Sequence, residues 1–186
     1  MEEARYFVES IADIRARLEQ MGAAGQGEYS FTDTIFCLVG KNVDLNLGYI
    51  RLRHTQRSNR PGNPFTITRK QTILGNGTNR RVYTLHLSPP IDNETEAIEM
   101  LKFKCGGDLE QLLQYSRIGW EYLWEYSKRT INIFVESIAV AGLHPSVEIE
   151  AENAATLEHC AAQLGLQERI TYSVPEMVRK HLQLIQ

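Results

Sequence analysis

The sequence predicts an α+β protein in which two groups of β-strands are each followed by helices. Segments rich in β-branched and aromatic residues, or with alternating apolar and polar residues, are typical of strands and recur along the chain. Between them, apolar residues at helical spacing follow residues that favour helix starts. At 186 residues the chain is expected to form one domain, residues 1–186. The two β-rich halves are compatible with two separate sheets or with one closed barrel, which would remove the sheet edges.

The first half of the chain is predicted to be mostly strand. A short strand at 5–9 precedes a helix that begins at Ser10 and ends at Gly22. A loop rich in Pro, Gly and Asn occupies 58–64, and the turn GNGTN at 75–79 joins a hairpin. The remaining strands of this half are predicted at 31–40, 48–55, 65–70 and 81–87.

The second half alternates helices with another β-rich run. Four helices are predicted to start at Asp92 or Asn93, at Asp108, at Asn153 and at Pro175. The β-rich run lies between the second and third of these helices and covers 119–150. Its alternating aromatic residues, which are expected to pack one face of a sheet, are Trp120, Tyr122, Trp124 and Tyr126.

The composition is that of an ordinary globular protein. No apolar run approaches the roughly 20 residues that span a bilayer, so no membrane partner is expected. The acidic N-terminal segment lacks the apolar region of a secretory signal. Three scattered cysteines, with no C-x-x-C pair, argue against a disulfide framework or a zinc site. They favour buried thiols and a cytoplasmic location.

Basic residues concentrate in a stretch that contains no acid. Between Asp44 and Asp92 there is no Asp or Glu, although eight of the 20 Lys and Arg residues lie there. The rest of the chain has 12 basic residues against 23 acidic ones. Such segregation creates a local positive potential that favours an anionic ligand.

Strand alternation brings several of these cations to one face. Arg51 and Arg53 share a face of one strand, and Lys70 shares a face with Thr66 and Thr68 on the next. The strand after that offers either Arg80 or Arg81, because adjacent residues point to opposite faces. A solvated basic sheet face is the alternative. Nucleic acid is a weaker alternative, since the pI is near 6.0 and the chain has no basic helix.

Acidic residues alternate near the end of the second β-rich run. Glu148, Glu150 and Glu152 share a strand face, with successive carboxylates about 7 Å apart. Paired carboxylates beside phosphates suit Mg²⁺ or Mn²⁺, which prefer oxygen ligands. The alternative is a strand that is apolar inside and charged outside.

Several segments match, in order, the motifs of one protein family. They are FTDT at 31–34, GYIRLR at 48–53, TITRK at 66–70, VAGLHPSVEIEAE at 140–152, and AAQLGL with TYSVPEMV at 161–166 and 171–178. They resemble the Y-F-D-T, a-L-R-I-R, L-T-x-K, V-x-G-L-G-x-F-x-E-I-E and closing L-G-L and S-Y-x-x-L motifs of the CYTH superfamily, or triphosphate tunnel metalloenzymes. That family includes class IV adenylyl cyclases, thiamine triphosphatases and inorganic triphosphatases.

The resemblance implies an antiparallel eight-stranded β-barrel, or tunnel, with flanking helices and a triphosphate held in its bore. It implies phosphate contacts from Arg51, Arg53, Lys70, one of Arg80 and Arg81, and Arg129 or its neighbour Lys128. It also implies that Glu148 and Glu150 hold Mg²⁺ or Mn²⁺ and support catalysis.

The N-terminal strand departs from the family pattern E-x-E-x-K. Aligned on Phe7, only Glu2 is retained as a metal ligand, because Ala4 and Tyr6 replace the second acid and the lysine. A further family acid falls on Ile138, and Glu136 stands two residues away on the same strand face. These losses affect metal binding and catalysis more than phosphate binding.

Three functions follow from these patterns. The first is binding of a triphosphate-containing anion, a nucleotide or a polyphosphate, with metal-dependent hydrolysis or, as in class IV adenylyl cyclases, cyclisation. The second is a non-catalytic protein that binds the same anions. The third is a basic sheet surface that binds RNA without a tunnel. The sequence is also compatible with a homodimer.

Overall fold

The computed structural model describes residues 2–39, 44–45, 48–57, 65–72, 80–85, 91 and 93–184, without the side chains of 57, 71–72, 80–85 and 184. These residues form nine strands and four helices. In chain order they are β1 (Glu2–Phe7), α1 (Ile11–Gln20), β2 (Ala24–Leu38), β3 (Gly48–Arg57), β4 (Phe65–Thr72), β5 (Arg80–Leu85), α2 (Glu94–Cys105), β6 (Leu109–Tyr126), β7 (Arg129–Ile138), β8 (Ser146–Ala151), α3 (Ala154–Gln163), β9 (Arg169–Ile170) and α4 (Val174–Leu184).

The strands follow the order β5-β4-β3-β2-β6-β7-β8-β1-β9 in one sheet. The pairs β3–β4, β4–β5, β6–β7, β7–β8, β8–β1 and β1–β9 are antiparallel. β5 and β9 end this order, so no strand pairing within the described residues closes the sheet. The predicted α+β class, with eight main antiparallel strands and flanking helices, is confirmed. The two-residue strand β9 was not predicted.

Three of the predicted helix starts are confirmed by their capping bonds. The side chains of Ser10, Asn93 and Asn153 each accept a hydrogen bond from the backbone N–H three residues on. The last helix begins at Val174, one residue before the predicted Pro175. The predicted loop at 58–64 and turn at 75–79, and Asp92, lie outside the described residues. No helix in the described parts of the chain has both the length and the apolar character needed to cross a membrane.

One predicted helix is wrong. The residues after Asp108 form the 18-residue strand β6 instead of a short helix. Three leucines at helical spacing suggested the helix, but this local signal is weaker than long-range pairing. The Val39 N–H donates to the Asp108 carbonyl at 3.1 Å, and β6 lies beside β2 and β7 in the sheet order.

Two compact units make up the chain. Unit 1 comprises Met1–Ser30, Arg57–Asn59 and Arg117–Thr171, and unit 2 comprises Phe31–Gln56, Arg60–Ser116 and Tyr172–Gln186. Each is described by itself below, and the single domain expected from the length stays a prediction.

In unit 1, helices α1 and α3 pack against one face of the strands. Alternate residues of β7 and β8 form the core of this face, together with residues from the two helices. The central members are Leu18, Ile131, Ile133, Val147, Ile149 and Leu164, all buried. Tyr122 belongs to this core, and Trp120, Trp124 and Tyr126 pack against it, which confirms the predicted packing of the aromatic run. Because side chains alternate along a strand, the other face of the same strands carries their polar residues.

In unit 2, helix α2 covers apolar residues of β3 and β4. Leu52 and Ile67, which pair across the two strands, are buried against Ala97 and Leu101 of the helix. The residues that alternate with Leu52 on β3 therefore point to the opposite face. Those residues include Arg51 and Arg53.

Candidate functional site

Acidic side chains of unit 1 meet on the strand face opposite its helices. Glu3 pairs with Glu150, and Arg5 pairs with Glu148, across β1 and β8. Asn132 of β7 also pairs with Glu150. Directly paired residues of antiparallel strands point to the same face. The strand register therefore gathers these residues side by side.

Three of these carboxylates form a compact acidic cluster, defined here as Glu3, Glu148 and Glu150. One carboxylate oxygen from each lies within 4.8 Å of the others. All three side chains are half-buried, and the Nδ2 of Asn132 donates to the Oε2 of Glu150 at 3.4 Å. Oxygen donors at this spacing fit a hard divalent cation such as Mg²⁺ or Mn²⁺. The structure thus brings the predicted Glu148 and Glu150 together and adds Glu3.

A buried ion-pair network adjoins the acidic cluster, with Glu136 at its centre. Glu136 is only 2% exposed. Arg117 Nη1 donates to its Oε2 at 2.9 Å and to its Oε1 at 3.1 Å. The Tyr29 hydroxyl donates to Oε1 at 2.8 Å, and Arg5 Nη1 pairs with Oε2. Glu136 therefore has two guanidinium partners and one phenol partner.

Arg5 connects this network to the acidic cluster. Its Nη1 also donates to the Ser146 hydroxyl at 2.9 Å, and its Nη2 forms an ion pair with the Oε2 of Glu148. The Arg5 residue is 7% exposed. One guanidinium therefore forms ion pairs with two carboxylates, one buried in the network and one shared with the acidic cluster.

Electrostatics keep Glu136 ionised. Burial alone would raise its pKa, but the nearby charges of Arg117 and Arg5 outweigh burial and lower the pKa to about 2. Burial, followed by the neighbouring Glu136 carboxylate, raises the pKa of Tyr29 well above its usual value. Tyr29 therefore stays protonated at neutral pH and acts as a hydrogen-bond donor. Glu136 is a poor general base, because its lone pairs are occupied and its pKa is low.

Two predicted residues of unit 1 lie away from the acidic cluster. Glu2 pairs with Ala151 on the core face of β1, one residue out of phase with Glu3. Arg129 shares its face of β7 with the core residue Ile131. It pairs with Glu152 at 3.1 Å, on an exposed part of the surface. The structure therefore does not bring these two side chains to the face of the acidic cluster, because strand alternation directs them to the opposite side.

Unit 2 carries the basic strand face, defined here as Arg51, Arg53, Thr68 and Lys70. Arg51 pairs with Thr68 in the register of β3 and β4, and its Nη2 donates to the Thr68 hydroxyl at 3.5 Å. Lys70 follows on the same face of β4 and is half-buried. The alternation predicted from the sequence is therefore present on these two strands.

Asp33 of β2 supplies a negative charge to the basic strand face. Arg53 binds it in a bidentate manner, at 2.6 Å from Nε to Oδ1 and 2.8 Å from Nη2 to Oδ2. Arg51 Nη1 lies further away, 3.9 Å from Oδ2. The guanidinium of Arg53 also stacks 4.0 Å from the ring centroid of Phe31. Asp33 is completely buried, so it fixes Arg53 firmly.

Arg80 and Arg81 lie in β5, where their backbones pair with Thr72 and Gln71. Their side chains lie outside the described residues, so the choice between them stays a prediction.

The sequence interpretation missed Glu3, Arg5 and Asp33. For Glu3 and Arg5 the signal was present in the alternation of β1, which places residues 3, 5 and 7 on one face. The alignment on Phe7 instead placed residues 2, 4 and 6 on the face of the site. Asp33 lies within the FTDT segment that was matched to the family, but nothing local indicated its pairing with Arg53.

The comparisons with known proteins find similarity of fold but no match to a family model or a curated sequence. No protein-family model and no curated protein matches the chain. Solved structures match it over nearly its whole length. The PH1819 protein of Pyrococcus horikoshii OT3 has a TM-score of 0.75 at 14% identity, covering 97% of this chain and 98% of that one.

Some of the matching structures have an activity in their descriptions. A "putative adenylate cyclase" of Vibrio parahaemolyticus has a TM-score of 0.67 at 15% identity, covering 95% of this chain and 96% of that one. The "putative adenylyl cyclase HpAC1" of Hippeastrum has a TM-score of 0.67 at 15% identity, covering 97% and 96%. It is described as having a dominant triphosphatase activity. The chain therefore shares the fold of these proteins, which is the outcome that the family resemblance predicted for the fold.

Proposed function

We propose that the protein binds a triphosphate-bearing anion, either a nucleotide or a polyphosphate, together with Mg²⁺ or Mn²⁺ and hydrolyses it. One observation carries this proposal. The acidic cluster of Glu3, Glu148 and Glu150 occurs on a fold shared with a protein described as a triphosphatase.

The acidic cluster is the proposed ion site. Its three carboxylates would bind the ion, while Arg5 holds Glu148 and Asn132 holds Glu150 in place. When bound, a divalent ion would neutralise phosphate oxygens and make a coordinated water more acidic. Glu136 is too acidic to accept a proton at neutral pH, so its proposed role is to position Arg5.

The basic strand face is the proposed phosphate-binding surface. Planar guanidinium groups suit phosphate oxygens because they donate two parallel hydrogen bonds. Asp33 holds Arg53 in one orientation, so its ordering would cost little on binding. Charge neutralisation of this kind is the main protein contribution to phosphoryl transfer.

A second candidate is a non-catalytic protein that binds the same anions. One observation favours it. The position on β1 that faces Glu148 carries the cation Arg5 instead of another acid, so one carboxylate of the acidic cluster already has an ion-pair partner. A weakly held ion would leave an attacking water unactivated.

Phosphate release and equilibrium binding would separate the two candidates. Tripolyphosphate, ATP and thiamine triphosphate would each be tested with Mg²⁺ or Mn²⁺, and ATP also for a cyclic product. We expect phosphate release, with Glu150→Gln lowering the rate by about 100-fold. Glu152→Gln is the matched control, because Glu152 lies on the same segment but is exposed and pairs with Arg129.

Each outcome has a definite meaning. Binding without release would favour the non-catalytic candidate, and a cyclic product would indicate a cyclase. Absence of both binding and release would overturn the proposal.

A further inference from the structure

We infer that Arg5 is a built-in cation that takes the place of a divalent ion between Glu136 and Glu148. Its consequence is that the acidic cluster binds a divalent metal more weakly than three carboxylates alone would allow.

The charges around Arg5 balance. Arg5 and Arg117 contribute two positive charges, and Glu136 and Glu148 contribute two negative ones, with direct contacts linking all four. Arg5, Arg117 and Glu136 are buried, which makes an unbalanced charge costly there. A guanidinium between two carboxylates does electrostatically what a bridging cation would do, without needing an ion from solution.

Competition arises because Glu148 belongs to both groups. The oxygen of Glu148 that pairs with Arg5 is neutralised before any ion arrives, and the guanidinium charge lies next to the acidic cluster. A divalent cation that enters the cluster is therefore repelled by Arg5. Glu148 also attracts it less strongly, because Arg5 partly neutralises the charge of Glu148.

Other neighbours of β1 do not take over this role. Arg169 of β9 is exposed and donates to the backbone carbonyl of Glu3 at 3.3 Å. Ser146 contributes a neutral hydroxyl at 2.9 Å from Arg5. Within the described residues, Arg5 is thus the cation in contact with the acidic cluster carboxylate of Glu148.

The inference rests on the proposed function only in taking the acidic cluster as the ion site, and a direct Mn²⁺ titration tests it without turnover. Calorimetry and thermal unfolding with and without Mn²⁺ would compare the wild type with Arg5→Gln. We expect Arg5→Gln to bind Mn²⁺ at least about tenfold more tightly, and to gain more thermal stability from it. Arg17→Gln is the matched control, because it removes an arginine of unit 1 that donates to the Leu164 carbonyl at 2.7 Å.

The result remains decisive if Arg5→Gln is unstable. Folding that depends on added Mn²⁺ would support the inference, since the ion would then replace the guanidinium. A Mn²⁺ affinity within about twofold of the wild type, no binding, or no folding even with saturating Mn²⁺ would overturn it. Tighter Mn²⁺ binding by Arg5→Gln in a protein that releases no phosphate would uphold this inference while the proposed hydrolysis failed.

Discussion

The ring of Tyr29 lies directly over Gly119, and this contact lets the Tyr29 hydroxyl reach Glu136. A Cβ at position 119 would lie 2.6 Å from both Cζ and the hydroxyl oxygen of Tyr29. Gly119 pairs with Glu136 across β6 and β7, so its missing side chain leaves space beside the carboxylate. The hydrogen bond of 2.8 Å between Tyr29 and Glu136 occupies that space.

Gly119→Ala is expected to lower the free energy of unfolding by about 1–3 kcal/mol, because the new methyl group displaces the Tyr29 ring. Urea unfolding measures the change. Gly25→Ala is the matched control on β2, where a Cβ would meet Tyr122 at an ordinary 3.7 Å. Tyr29→Phe removes the same hydrogen bond, so its effect and that of Gly119→Ala should not add. Full additivity would show that the two residues act separately.

Stability is expected to fall at acid pH as Glu136 takes up a proton. Its pKa is lowered from 4.5 in the unfolded reference to about 2 in the folded protein. A lowered folded pKa contributes stability that is present above pH 4.5 and is lost as the pH falls toward 2. Urea unfolding across this window should show a slope of up to about 1.4 kcal/mol per pH unit from this group.

Glu136→Gln provides the comparison for that slope. The variant should lose about 3–5 kcal/mol at neutral pH, because Arg5 and Arg117 stay buried without their carboxylate. Its stability should then depend less on pH within the same window. A carboxyl carbon of Glu136 that titrates near its ordinary pKa by NMR would contradict the prediction.

Loss of the Arg53 side chain is expected to reduce mainly the stability of the protein, and loss of the Arg51 side chain mainly its affinity for tripolyphosphate. Arg53→Ala leaves the buried Asp33 without its bidentate partner and should cost about 3–5 kcal/mol of stability. Arg51 lies 3.9 Å from Asp33, and its Nε has no hydrogen-bond partner within the described residues. Arg51→Ala should therefore change stability by under about 1 kcal/mol but weaken tripolyphosphate binding by about tenfold.

The measurements are calorimetric binding and urea unfolding on both variants. Arg69→Ala is the matched control, because Arg69 lies on β4 between Thr68 and Lys70 but is exposed and points to the other face. Equal losses of affinity in Arg51→Ala and Arg69→Ala would assign the effect to net charge instead of to the basic strand face.

Substitutions of Glu3 and Glu2 test which face of β1 binds the ion. Glu3→Gln should weaken Mn²⁺ binding by roughly 10–100-fold, because Glu3 supplies one of the three clustered carboxylates. Glu2→Gln should change it by less than about twofold, since Glu2 pairs with Ala151 on the core face. If Glu2→Gln weakened Mn²⁺ binding more than Glu3→Gln in a Mn²⁺ titration, Glu2 and not Glu3 would be the ligand.

Strand alternation predicted much of the candidate site. It placed Arg51, Arg53 and Lys70 on one face, and it placed Glu148 and Glu150 together, because a period of two decides the face of each side chain. The phase of β1 was missed because a family motif, and not the partner strand, set the alignment. The pairing of Arg53 with Asp33 depends on which strands are neighbours, and periodicity alone does not determine neighbours.

The helix predicted after Asp108 failed for a related reason. The leucines near the start of β6 satisfy helical spacing over only a few residues. The backbone there pairs with segments far away in sequence, and such pairing overrides a weak local preference. Helices with a capping residue and a longer apolar pattern, such as those after Ser10 and Asn153, were predicted correctly.

The position of β1 has a consequence for how the protein is made. β1 lies between β8 and β9, so Arg5 pairs with both Glu148 and Ile170. During synthesis these partners emerge long after β1, roughly ten seconds or more later at ordinary translation rates. Until then both edges of a strand carrying Ala4 and Tyr6 are unpaired and open to wrong partners. Nascent chains are therefore expected to need chaperone protection of this segment until β8 and β9 have been synthesised.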